Sequence, residues 1–91
     1  MADKKTWSIH IHRDAEKILH KLDRETFLRI RTVINQLTKD PKPVGYKKLG
    51  GVDNLYRIRV GDWRITYALE KDQLIILVVE ISPRGDAYRK R

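Results

Sequence analysis

Residues 55–70, LYRIRVGDWRITYALE, hold the side chains best suited to chemistry. Arg57, Arg59 and Arg64 fall in two alternating runs separated by Gly61-Asp62, and a two-residue turn that begins with glycine joins such runs into a tight hairpin. In that register Val60 faces Trp63, Arg59 faces Arg64 and Arg57 faces Thr66. Side chains alternate along a strand. Arg57, Arg59 and Arg64 therefore share one face, while Tyr56, Ile58, Val60, Trp63, Ile65, Tyr67 and Leu69 make the other. Like charges directly opposite one another destabilise a sheet, by on the order of 1 kcal/mol per pair at ~5 Å in well-screened surroundings. A fold has no structural use for that arrangement, whereas an anionic ligand relieves it. The alternative is neutralisation by Glu70, Glu80 or an acid of the C-terminal tail.

Guanidinium forks match phosphate oxygens bidentately. Three of them suit a phosphodiester and the extra negative charge that a pentacoordinate phosphorane develops. Tyr88 follows Arg84 by four residues, so a helical tail would set both on one face. A phenol there can hydrogen-bond, transfer a proton or stack on a base. RNA carries its own nucleophile in the 2′-OH, and a metal-free cleavage site needs only alignment, charge and proton transfer. Arginine stays protonated at ordinary pH and a free tyrosine has a pKa of about 10; neighbouring cations lower it toward phenolate. His10 and His12 share a strand face, but a His-x-His pair with no evident third ligand is a weak metal signal. His20 reads as exposed helix surface, and Gly50-Gly51 as a turn outside any P-loop pattern. The expectation is a site with no metal and no cofactor.

The charge is unevenly placed. The 91 residues carry a net charge of +8, from 20 Lys+Arg and 12 Asp+Glu. Residues 42–64 hold six bases (Lys42, Lys47, Lys48, Arg57, Arg59, Arg64) against two acids, and residues 84–91 hold four (Arg84, Arg89, Lys90, Arg91) against one. The other 60 residues are nearly neutral, which points to a phosphate-binding face more than to an evenly solvated surface. Lys42, Lys47, Lys48 and Arg89 are the flanking candidates for RNA contact. The absence of cysteine excludes disulfides, thiolate metal sites and a cysteine nucleophile, and fits a reducing compartment. The opening MADKKTWSIH has no apolar run of the signal-peptide kind, and residues 74–79 are too short to cross a bilayer. A cytoplasmic protein with no membrane partner is expected.

These side chains need a scaffold, and the periodicity supplies one. Residues 7–12 alternate, with Trp7, Ile9 and Ile11 on one face and Ser8, His10 and His12 on the other: a half-buried strand. From Asp14 the period turns helical. Ala15, Ile18, Leu19 and Leu22 form one apolar stripe; Phe27, Ile30, Ile34 and Leu37, with Val33, form a second behind an Asp23 N-cap. Asp14 and Glu16 suit the first turn; Pro41 and Pro43 end the second helix. Residues 44–54 read as a basic, glycine-containing loop, followed by the hairpin. A turn near residues 71–73 leads into residues 74–81, apolar at nearly every position and so expected to be covered on both faces. Pro83 stops that strand, and residues 86–91 have room for a short helix. The reading is one domain over residues 1–91 of the α+β class. Two N-terminal helices pack on a four-stranded, mainly antiparallel sheet with a short C-terminal helix or tail.

The segment LYRIRVGDWRITY (55–67), preceded by KKLG (47–50) and followed by ISPRGDAYR (81–89), resembles the RelE branch of the RelE/ParE toxin superfamily. The likeness extends over essentially the whole chain, and its YRIRVGDWRI core is specific. It implies a prokaryotic toxin of a toxin–antitoxin pair that cuts mRNA in the ribosomal A site, without metal, by attack of the 2′-OH. It also implies a cognate antitoxin that wraps the toxin, and binding of operator DNA only through the antitoxin complex. The basic, partly apolar surface predicts that the antitoxin's segment is acidic, amphipathic and initially disordered. By position, Arg57 and Arg59 match the paired basic residues of the family site, and Arg64 the basic residue opening the next strand. Arg84 matches the arginine after the last strand, and Tyr88 the tyrosine of the tail. The best-known RelE toxins have lysines where Arg57 and Arg59 stand. Arginine keeps the phosphate grip but not the role of base, which leaves proton transfer to Tyr88 or solvent. The alternatives are a ParE-like inhibitor of DNA gyrase and a non-catalytic nucleic-acid-binding protein.

Overall fold

In a computed structural model, which describes residues 7–51 and 54–83, the change from strand to helix falls at His12. Strand β1 (Ser8–Ile11) leads directly into α1 (Arg13–Lys21), and His12 is the N-cap. Its Nδ1 accepts a hydrogen bond from the Asp14 N–H at 3.1 Å, satisfying one of the donors that a helix start leaves free. Helix α2 (Arg24–Leu37) begins at Asp23, whose carboxylate accepts from the Thr26 N–H and is held below its ordinary pKa chiefly by the hydrogen bonds with Thr26. Then follow β2 (Lys47–Lys48), β3 (Leu55–Val60), β4 (Trp63–Glu70) and β5 (Ile75–Pro83).

The fold is α+β, with a sheet of five strands rather than four, in the order β1-β5-β4-β3-β2. The additional strand is β2, which pairs antiparallel with β3 through Lys47 opposite Arg57 and Lys48 opposite Tyr56. Two residues have no readable period, and the basic loop expected over residues 44–54 hides them. β1 lies parallel to β5 and the other pairings are antiparallel, so the sheet is mixed. The expected C-terminal helix or tail lies outside the described residues.

Both helices cover one face of the sheet, α1 over β5 and α2 over β3. Ile30, Ile34 and Leu37 of α2 are fully buried against Ile58, Val60, Ile65 and Tyr67, and each such side chain contributes about 2 kcal/mol. Tyr67 is 0% exposed, and its hydroxyl donates to the Pro41 carbonyl at 2.7 Å. That bond ties the chain leaving α2 to the middle of the sheet. Burial raises the Tyr67 phenol to about 12.

β5 departs from the expectation of two covered faces. Ile76, Val78 and Ile81 are buried beneath the helices, but Ile75 and Leu77 on the opposite face are only half-buried. The continuous apolar run has a second cause. A bulge lies where Thr66 pairs with Glu80 and Tyr67 with Val78, leaving Val79 as the extra residue. Val79 leans into a groove against Asp14, Ala15 and Ile18 of α1. The strand also starts one residue later than expected, because Leu74 takes a φ of 54° in the preceding turn. It runs on through Pro83, which pairs with Trp63 at the sheet end.

Candidate functional site

The sheet face away from the helices carries the cations, and the hairpin places them there. β3 and β4 pair with Val60 opposite Trp63, Arg59 opposite Arg64 and Arg57 opposite Thr66, the register expected from the sequence. Gly61 opens the turn at φ 61°, the backbone that a type II′ hairpin requires at its first central position. Alternation does the rest: Tyr56, Ile58, Val60, Ile65 and Tyr67 go into the core, and the three arginines go out.

β2 adds a fourth cation. Lys47 stands opposite Arg57 on the same face, and together with Gly45, Arg57, Arg59 and Arg64 it lines a cleft of about 100 Å³. Pockets that enclose whole small molecules start near 300 Å³. This one has room for a phosphate-sized group and little more. Gly45 was not legible as a site residue. It has φ 95° and faces open space, so the cleft wall at that point is bare backbone.

Of the acids expected as neutralisers, Glu70 and Glu80 sit elsewhere, and the acid of the tail lies outside the described residues. Glu70 is at the far end of β4, where it accepts from the Asn54 side-chain amide. Glu80 faces Thr66, two interstrand spacings or about 10 Å from Arg57. Among the described residues no carboxylate comes within ion-pair distance of Arg57 or Arg59. Arg64 is half-buried, with one guanidinium nitrogen shielded from solvent. The site thus concentrates positive charge on a rigid two-stranded platform, with guanidinium forks converging from adjacent strands. Guanidinium groups so placed are chemically suited to a tetrahedral anion and to added charge on it.

Not every sequence candidate is brought to the cleft. Lys48 alternates to the other side, opposite Tyr56, and the Lys42 ammonium lies 5.3 Å from the centre of the Tyr56 ring. Arg84, Tyr88 and Arg89 lie outside the described residues; within them, β5 sets Ser82 opposite Arg64 and ends at Pro83 opposite Trp63. His10 is exposed on β1 and His12 caps α1. Among the described residues no His, Asp or Glu cluster is spaced to hold a metal ion, and no helix is long and apolar enough to cross a membrane.

Comparison with known proteins places this geometry. A family model described as the ParE toxin of the type II toxin–antitoxin system parDE matches residues 9–88. The RelE1 protein of Methanocaldococcus jannaschii is 31% identical over 86 residues, covering 91% of this chain and 96% of that one. The RelE–RelB complex of the archaeon Pyrococcus horikoshii OT3 superposes with a TM-score of 0.80 at 29% identity, over 88% of this chain and 97% of that chain. The isolated RelE toxin of E. coli matches in fold, with a TM-score of 0.77 at 16% identity over 87% of this chain and 85% of that one.

Proposed function

The chain belongs to the RelE branch of the RelE/ParE superfamily, the toxins of type II toxin–antitoxin systems, and from that membership we propose that it is an endoribonuclease that cuts mRNA on the ribosome. One observation carries the reading. Arg59 faces Arg64 across the hairpin, beside Arg57 and Lys47, around a phosphate-sized cleft. Cations gathered around one such cleft are the complement of a phosphodiester.

In the proposed reaction the 2′-oxygen attacks the adjacent phosphorus and the bond to the 5′-oxygen of the next nucleotide breaks. The products are a 2′,3′-cyclic phosphate and a free 5′-hydroxyl. Arg57, Arg59 and Arg64 hold the non-bridging oxygens and stabilise the second negative charge of the phosphorane. Arg84 adds to that grip. The 2′-OH proton passes to Tyr88 or to solvent, and the leaving oxygen takes up a proton in exchange. Lys42, Lys47, Lys48 and Arg89 hold neighbouring phosphates of mRNA or ribosomal RNA. The protein works in the prokaryotic cytoplasm, and a cognate antitoxin with an acidic segment covers the cationic face until released. Operator DNA is reached only through that complex.

Translation of a defined message in a cell-free extract tests the assignment. Wild-type protein is expected to stop synthesis and shorten the message, and Arg84→Ala or Tyr88→Phe to remove both effects while the fold is retained. If both variants stay active, the site assignment is wrong. The match to the ParE family model gives the second reading its weight. An intact message alongside arrested DNA supercoiling would select gyrase inhibition instead.

A further inference from the structure

The turn before β2 puts apolar side chains into solvent beside the cleft. Tyr46 N–H donates to the Pro43 carbonyl at 3.0 Å, and Gly45 supplies the positive φ that such a turn needs at its third position. Val44 is fully exposed and Tyr46 is 39% exposed. Scattered surface apolar residues are ordinary. Among the described residues, however, the exposed large hydrophobic side chains are Leu28, Val44 and Tyr46, so two of the three lie within one four-residue turn.

The Tyr46 ring does not hang free. It leans on Tyr56, with centroids 5.8 Å apart and planes at 51°, and Tyr56 in turn stacks on the fully buried Tyr67 at 5.9 Å and 26°. A row of three rings thus runs from the core to the surface, and the outermost keeps an open side. The neighbours of Tyr46 in the chain, Gly45 and Lys47, both line the arginine cleft, and consecutive Cα atoms are only 3.8 Å apart. On the Tyr56 side of the β2 edge, the side of the Tyr46 ring, stand Lys42 and Lys48, the two bases of residues 42–64 that do not line the cleft. Rigid aromatic surface with cations close by is how proteins hold single-stranded nucleic acid, stacking the base and neutralising the backbone.

We propose that Tyr46 is the stacking platform for a base of the RNA strand whose phosphate occupies the cleft, with Lys42 and Lys48 holding the backbone where it crosses the β2 edge. The proposal rests on the RNA-cleaving reading and extends it by a second subsite outside the reacting phosphate. Because every base offers a ring face, the subsite strengthens binding without selecting sequence.

The test uses the full chain and a short single-stranded RNA with a 2′-deoxy sugar at the cleavage position, carrying 2-aminopurine at successive positions. Wild type, Tyr46→Phe and Tyr46→Trp are expected to quench the fluorophore at one position near the deoxy sugar. Tyr46→Leu keeps an apolar contact with Tyr56 but has no ring. It is expected to fold, by circular dichroism, to lose that quench and to bind about tenfold more weakly. Arg59→Ala is expected to weaken binding but to quench normally once saturated, since it leaves the platform in place. Tyr46→Leu with wild-type affinity and wild-type quench would overturn the proposal while leaving the RNA reading intact. A wild-type protein that binds this RNA without quenching at any position would also overturn the proposal. One that binds no free RNA would overturn the stacking subsite, while primer extension on ribosomes judges the cleavage reading separately.

Discussion

Replacing Arg59 by threonine removes one of two like charges that face each other across the hairpin. The variant is expected to gain a few tenths to about 1 kcal/mol of stability and to bind non-cleavable RNA about tenfold more weakly. Urea denaturation and fluorescence anisotropy read the two effects separately. Loss of stability would mean that the arginine serves the fold. The histidines make the opposite case. His12 spends its Nδ1 on the Asp14 N–H and His10 stands apart on β1, so His10→Ala and His12→Ala are expected to cleave at the wild-type rate. His12→Ala is expected to lose helix signal as α1 frays. The arginine face was readable from the sequence because alternation and a glycine-led turn allow one register. The capping role of His12 was not, because the usual N-cap side chains are Ser, Thr, Asp and Asn.

The hairpin and the Tyr67 anchor are the elements that hold the site. An alanine at Gly61 would keep φ 61°, and its Cβ would come within 2.9 Å of the Arg29 guanidinium. That guanidinium is the end of a flexible side chain and can move aside, so the backbone sets the cost. Gly61→Ala is expected to destabilise the protein by about 1 kcal/mol, measured by thermal unfolding, with the arginines still in register. Tyr67→Phe loses the bond to the Pro41 carbonyl and is expected to cost about 1–2 kcal/mol at neutral pH. It also alters the response to alkali. The folded phenol holds its proton to about 12, while the unfolded one releases it near its ordinary value of 10. Between those values the unfolded state binds fewer protons, so wild-type stability falls as pH rises through the window. Tyr67→Phe is expected to lack that component, seen as a shallower fall in urea midpoint. A slope equal to wild type would contradict the burial of the phenol.

At this scale the sequence was partly legible. Both helices, the hairpin and the apolar faces follow from period and capping. β2 did not, since two lysines carry no alternation and only their pairing with β3 makes them a strand. Nor did the bulge at Val79, which makes a one-faced strand look buried on both sides.

For the whole molecule, the sheet divides the labour. One face is the core, and the other is a cationic surface that ends where the chain leaves β5. The pairing of β1 with β5 closes this arrangement by bringing residues far apart in sequence side by side, which no local pattern encodes. Residues 42–64, which supply the arginines and lysine of that face, carry +4 of the net +8, a charge that an acidic partner or an RNA backbone complements.

Primer extension on a defined mRNA, incubated with the protein with and without ribosomes, tests the central claim most directly. Discrete cuts within the A-site codon, present only with ribosomes and lost in Arg84→Ala, are the expected result. Intact message in both tubes with the protein folded would contradict it, and so would cuts in free RNA that persist when Arg57, Arg59 and Arg64 are replaced.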